Sequence, residues 1–226
     1  MFGLFYPETL IILLPALILA IYAQHKVRST YAKYLQVPTQ RRVTAAQVAD
    51  EILARAGVSG VKIEGTGRAL GDHYDPRSRT LRLSAAGSAS VAAVGVAAHE
   101  AGHAIQHAQR YAPLALRSAV VPAAMFGSQL AFPLFFIGLF MRADPLVNIG
   151  IILFSAAVLF TLITLPVEFN ASRRAVAALR TSGHVTQEEL GAVKEVLTAA
   201  ALTYVAAAAM AALQLLSMLM VANRRR

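Results

Sequence analysis

The sequence predicts a mostly α-helical membrane protein, with four transmembrane helices, a small α+β cap and one metal-binding helix. Three observations predict it. Of the 226 residues, 57% are hydrophobic and only 15% are charged, which is more apolar surface than a water-soluble core of this length can absorb. Four apolar runs each reach the ~20 residues that a helix needs to cross the hydrocarbon. In His99-Glu100-Ala101-Gly102-His103, two imidazoles stand four apart, the spacing that puts side chains on one helix face.

The elements follow in order. The first span covers about 4–23, with Glu8 near its outer end and Pro15 inside it. Lys26, Arg28 and Lys33 follow this run rather than precede it, so it reads as an uncleaved anchor and not as a secretory signal. A basic connector, residues 24–43, leads past Pro38 to Thr44-Ala45-Ala46-Gln47, which has the form of a helix-capping box. Val48, Ile52, Leu53 and Ala56 then give a short amphipathic helix ending near Gly57. Val61-Lys62-Ile63-Glu64 and Thr80-Leu81-Arg82-Leu83 alternate as strands, with a turn at Asp75-Pro76-Arg77-Ser78 between them. A helix from about Ser88 to Gln109 carries the histidines. Together these pieces make a cap and metal-binding helix over about 24–117, too small to stand as a separate enzyme domain and placed to roof a site. The remaining spans are expected at about 120–141, 145–167 and 196–222, with a loop at about 168–195. The whole of 1–226 reads as a single domain.

Charge adds orientation and exclusions. The chain carries 21 Lys and Arg against 12 Asp and Glu, a net charge of +9. These cations are not interleaved with aromatics as a nucleic-acid groove requires, so membrane lipids are the expected partners and nucleic acid is not. With four spans, segments 24–117 and 168–195 share a side. They hold most of the cations, which favours the cytoplasm under the positive-inside rule. The Arg224-Arg225-Arg226 tail argues the other way. There is no cysteine, which excludes disulfides, thiolate metal sites and a cysteine nucleophile.

On a helix, His99 and His103 can hold one Zn2+ through their imidazoles. Glu100, one position on, is placed to act as general base towards water on the metal, the HExxH arrangement of zincin-like metallopeptidases. His99, Glu100, His103, Gln106, His107 and Arg110 fall within about 120° of the helix circumference, a polar stripe on a helix otherwise built of Ala, Val, Ile and Gly. The competing reading is a pair of histidines hydrogen-bonded at a headgroup interface. A third ligand is needed. Where some families place a later histidine, this chain has Gln106. His107 lies two turns beyond His99, about 12 Å along the axis, and reads as a supporting group, a substrate contact or an ordinary core histidine. Glu168, at the end of the third span in Leu165-Pro166-Val167-Glu168-Phe169-Asn170, is the better candidate. A carboxylate beside hydrocarbon is costly and marks function by default. The alternative is an interfacial glutamate paired with Arg173 or Arg174.

At these residues the chain resembles the YugP-type neutral zinc metallopeptidases of bacterial membranes. The matching stretches are Ala23-Gln24 with Ser29-Thr30-Tyr31, Asp72 to Arg77, Val94 to His107, Leu165 to Arg174 and Ala201 to Ala207. More distantly it is similar to HtpX-type and CAAX-prenyl membrane endopeptidases, which join a histidine pair to a glutamate in an E-F-x-A-D setting. Glu168, Phe169 and Ala171 match that setting, and Ser172 stands where those families have aspartate. YugP-type sequences tend to have aspartate where this chain has Asn170.

The resemblance implies a gluzincin-like, integral-membrane zinc endopeptidase. His99, His103 and Glu168 would be its ligands, Glu100 would assist attack by zinc-bound water, and its substrates would be proteins or peptides at the membrane surface. It also implies a substrate-binding strand just before the zinc helix, here Arg79, Thr80, Leu81, Arg82, Leu83 and Ser84. Arg173 and Tyr204 are the favoured oxyanion donors, ahead of His73, Tyr74 and His184. Asn170 is the expected acceptor for a ligand imidazole, and Ser172 the other candidate to replace the missing aspartate. The expected location is the inner cell membrane, multi-pass, with the site facing the cytoplasm, alone or in a membrane protein complex or oligomer. The alternative function is a catalytically silent zinc-binding scaffold or partner-binding subunit.

Overall fold

A computed structural model describes residues 7–67 and 71–224. Residues 4–6 of the expected first span, and Arg225 and Arg226 of the basic tail, lie outside the described residues. The order is α1 (Pro7–Leu35), α2 (Ala45–Arg55), β1 (Lys62–Gly65), β2 (His73–Asp75), β3 (Thr80–Leu83), α3 (Val91–Ala108), α4 (Ala112–Met141), α5 (Asp144–Ser182) and α6 (Gln187–Asn223). As expected, the chain is mostly helical, and α1, α4, α5 and α6 are each long and apolar enough to cross a membrane.

The chain divides into two compact units. One takes the chain up to Gln24, Ala115–Pro166 and everything from Leu202 onward; the other takes His25–Leu114 and Val167–Ala201. In the first unit, α4 and α5 meet backbone to backbone at small residues, the usual way for helices to associate in lipid. A Cβ on Gly150 would stand 2.8 Å from the Ala131 carbonyl oxygen, and one on Gly127 would stand 2.6 Å from that of Leu153. Phe135, Leu139, Val147 and Phe154 pack around this seam. Large apolar side chains face outward instead of being buried, Phe140 being 79% exposed and Ile152 68%. That is the expected surface of a helix solvated by hydrocarbon.

The second unit is organised around α3. Thr44 and Gln47 form the expected capping box, Gln47 N–H donating to Thr44 Oγ1 at 3.3 Å and Thr44 N–H to Gln47 Oε1 at 3.0 Å. Val48, Ile52 and Leu53 of α2 thereby face Val91, Val94 and Ala98 of α3 in one core. Ser90 caps α3, its Oγ accepting from Ala93 N–H.

Two expectations are corrected. Segment 168–195 is not a loop: α5 runs through Pro166 to Ser182, and α6 starts at Gln187. Val167, Ala171, Ala175 and Leu179 recur every four residues and are all buried, so burial of that stripe carries the helix on past the proline. Gly183, at φ +74°, then supplies the left-handed residue that closes the helix. The second correction concerns Arg79–Ser84. The sheet order is β1-β3-β2, with β3 parallel to β1 and antiparallel to β2. Both edges of Thr80–Leu83 are therefore occupied, and Ser84 N–H donates to Asp72 Oδ1 at 2.8 Å. A substrate cannot add a strand to an edge that is already paired.

Candidate metal centre

His99 and His103 sit one turn apart on the buried length of α3, their rings edge to face with centroids 4.7 Å apart. Glu168 comes from the same compact unit, on α5. Its arrival depends on Gly102, the residue between the two imidazoles. A Cβ there would lie 2.7 Å from the Ala171 carbonyl oxygen, closer than real side chains tolerate. With glycine the backbones of α3 and α5 touch, and Glu168, one turn before Ala171, reaches the histidines.

Glu168 Oε2 is 3.2 Å from His99 Nε2 and 3.5 Å from His103 Nε2, and the three residues offer donor atoms within 4.8 Å of one another. Two donors each about 2.05 Å from a tetrahedral ion stand about 3.3 Å apart, so the observed spacing fits zinc. Two imidazoles and a carboxylate also leave a fourth position open, the pattern of catalytic rather than structural zinc. The electrostatics agree. Burial pushes the His103 pKa down, yet the carboxylates of Glu168 and Glu100, with Gln106, outweigh it and raise the value above the ordinary one. Positive charge is favoured at this point, whether proton or metal ion.

The outer nitrogens are held in turn. His103 Nδ1 is 3.0 Å from Gln106 Oε1. An amide oxygen only accepts, so Nδ1 carries the proton and the Nε2 lone pair is left for the metal. Gln106 is fully buried, and its Nε2 donates to Val167 O at 2.8 Å and to Asn170 Oδ1 at 3.0 Å. Asn170 Oδ1 also accepts from Arg174 Nε at 2.7 Å, and Arg174 Nη1 reaches Gln109 Oε1 at 2.7 Å. His99 Nδ1 is 3.1 Å from Ser172 Oγ. Ser172, which stands where related families have aspartate, thus meets His99, whereas Asn170 supports Gln106 instead of meeting an imidazole itself.

Glu100 is 8% exposed, and its carboxylate has no hydrogen-bond partner among the described residues. Other expected site residues lie elsewhere. His107 Nδ1 is 2.9 Å from the Tyr74 hydroxyl on β2, outside the three-donor cluster. Burial pushes the Tyr74 phenol above its ordinary pKa, so it stays neutral. His73 Nε2 contacts Arg82. His184 pairs with Glu51 at 2.5 Å. Arg173 lies about 140° around α5 from Glu168; its Nε contacts Phe169 O, and its side chain lines a groove. Tyr204 belongs to the other compact unit. The motif Asp72 to Arg77 is accounted for by hairpin geometry. Asp72 holds Ser84, and Asp75 accepts from Arg77 N–H at 3.0 Å and Ser78 Oγ at 2.7 Å.

Sequence reasoning missed Gln106. It lies three residues after His103, within side-chain reach on a helix, and that spacing was the available signal.

Four helices long and apolar enough to span a membrane, with two histidines and one glutamate that could hold a metal ion, define the class: a membrane protein with a candidate metal site. The chain belongs to the family described as "Putative neutral zinc metallopeptidase", whose model matches residues 9–223. It is 45% identical over 208 residues to "Putative membrane protease YugP" of Bacillus subtilis (strain 168), an alignment covering 91% of this chain and 92% of that protein. No solved structure matches the chain. His99, His103 and Glu168 could hold a metal ion, and the metal of the family is zinc.

Proposed function

We propose that this protein is an integral-membrane zinc endopeptidase that hydrolyses peptide bonds of proteins or peptides at the membrane surface. The observation that carries the reading is Glu100, a nearly buried carboxylate with no protein partner, beside a complete three-donor cluster. A silent metal-holding scaffold has no use for such a group, because an unpaired buried carboxylate costs stability.

When bound, zinc supplies a Lewis acid that polarises a carbonyl and makes water acidic enough to react at neutral pH. The chain's own residues do the rest. Glu100 takes a proton from the attacking water and passes it to the leaving amine. Gln106 and Ser172 hold the His103 and His99 rings in register, and Asn170 with Arg174 holds Gln106. With β3 fully paired, the free edges of the sheet belong to β1 and β2. The β2 edge is the one for an extended substrate, because its Tyr74 reaches His107 on α3. The excess of Lys and Arg in 24–117 and in 168–195 supports a site on the cytoplasmic face of the cell membrane.

The test pairs metal analysis with a Glu100→Gln variant in membranes. Wild type is expected to hold about one zinc per chain, and Glu100→Gln to keep that zinc while losing at least ~100-fold in cleavage rate. Wild type without zinc, or a Glu100→Gln variant that cleaves a membrane substrate at the wild-type rate, ends the peptidase reading. A Glu168→Ala variant with full zinc affinity would remove the third ligand alone.

A further inference from the structure

A groove of about 720 Å³ lies along the second unit between α5 and α6, bordered by Ser172, whose Oγ meets His99 Nδ1. Its α5 wall includes Phe169, Arg173, Val176 and Arg180; its α6 wall includes Lys194, Leu197 and Ala201. Three cations line it and no carboxylate does. Neither Arg180 nor Lys194 has an ion-pair or hydrogen-bond partner among the described residues, and Arg173 contacts only the Phe169 carbonyl. Some other cations of this unit are answered, Arg55 by Glu51 and Arg82 by Glu64. Like charges gathered in one groove without a counter-ion repel one another, unless an anion from outside sits among them.

The groove also has apolar walls. Helices α5 and α6 are joined by the short turn at 183–186, so they run antiparallel. Arg180 lies near that turn, about 10 Å along α5 from Arg173. Phe169 and Ala201 lie at the opposite end, where both helices continue into their apolar stretches. Between these ends the walls carry Val176, Ala177 and Leu197 together with Arg173 and Lys194. Cations and apolar side chains thus share the length of one groove. An anionic amphiphile uses both, and a soluble anion has no use for the apolar walls.

We infer that this groove between α5 and α6 is a binding site for an anionic phospholipid. Its phosphate lies among Arg173, Arg180 and Lys194, and an acyl chain runs past Val176 and Leu197 towards Phe169 and Ala201. None of the three clustered donors lines the groove, and the inference does not depend on the peptidase reading.

The experiment is native mass spectrometry of the full chain in detergent, with phosphatidylglycerol or phosphatidylcholine of identical acyl chains added. Wild type should retain phosphatidylglycerol at least ~5-fold more than phosphatidylcholine. The double variant Arg180→Ala/Lys194→Ala should lose that preference, while Lys62→Ala/Arg77→Ala, which removes the same charge elsewhere in the unit, should keep it. Ala177→Trp fills the groove without changing its charge and should lower retention as well, which keeps the test decisive if the double variant does not fold. The inference is overturned if both lipids are retained equally, if the Arg180/Lys194 variant is unaffected, or if the control variant loses as much. Displacement of the lipid by equimolar glycerol 3-phosphate would make this a phosphate site only, and displacement by an acidic peptide would make it a peptide channel. Either result overturns the lipid assignment.

Discussion

At His103, one neighbouring amide decides which nitrogen meets the metal. Gln106 accepts from Nδ1 through an oxygen that cannot donate, and it is itself fixed by Val167 O and Asn170. Replacing it by an apolar residue of similar size removes the acceptor and leaves the ring free to turn. Gln106→Leu is therefore expected to weaken zinc binding about 10–100-fold, read by titration against a competing chelator. Unchanged affinity would show that the imidazole is oriented by packing alone. The three clustered donors and Glu100 were legible in the sequence because each belongs to a short motif with fixed helical spacing. Their supports were less so. Asn170 was expected to touch an imidazole but stands one hydrogen bond further out, because Gln106 fills the intervening space. Ser172 could be assigned only once 168–182 was known to be helical, since it lies one turn beyond Glu168 on the same helix.

Among the elements, the approach of α3 to α5 is the critical dimension. Gly102→Ala would put a Cβ 2.7 Å from the Ala171 carbonyl oxygen, and neither backbone can give way without moving a ligand. Destabilisation of about 1–3 kcal/mol is expected, with a disproportionate loss of zinc; a melting curve and metal analysis on the same sample check it. A variant that melts and binds as wild type would show that the helices have slack. A second contact links α2 to the α5–α6 turn. Desolvation pushes the Glu51 pKa up, but the hydrogen bond and charge of His184, with Arg55, outweigh it and hold the group below its ordinary 4.5. Because the folded value is depressed, this contribution is present above about pH 4.5 and is lost as pH falls through the folded pKa. Glu51→Gln should accordingly melt lower than wild type at pH 6, and the gap should close towards pH 3.5. At this scale sequence reading succeeded for the capped helices and failed at 168–195. Pro166 and the charged residues after it look like a span ending, whereas the every-fourth-residue stripe of Val167, Ala171, Ala175 and Leu179 was the stronger signal.

For the whole molecule, the four apolar runs were plain in composition, and the structure returned them as helices with large side chains facing outward. The sheet order was not legible, because three strands of three or four residues carry too little pattern to say which lies in the middle. Orientation rests on the distribution of Lys and Arg, and the absence of cysteine makes it directly measurable. A single Arg77→Cys substitution on the exposed hairpin turn should react in intact cells with a membrane-permeant maleimide and resist an impermeant one. Equal labelling by both reagents would put the metal centre on the outer face.

The separation of the ligands along the chain bears on biosynthesis. Glu168 follows His99 by 69 residues, so both histidines and the two apolar stretches between have been synthesised before the carboxylate exists. Two imidazoles alone give the ion neither the third donor nor the charge compensation that the finished site offers. The three donors are therefore together only after α5 has docked on α3. A chain whose insertion stalls part-way carries Glu100 and the histidine pair but no assembled cluster, so on the proposed reading a half-made copy has no means of cutting its neighbours.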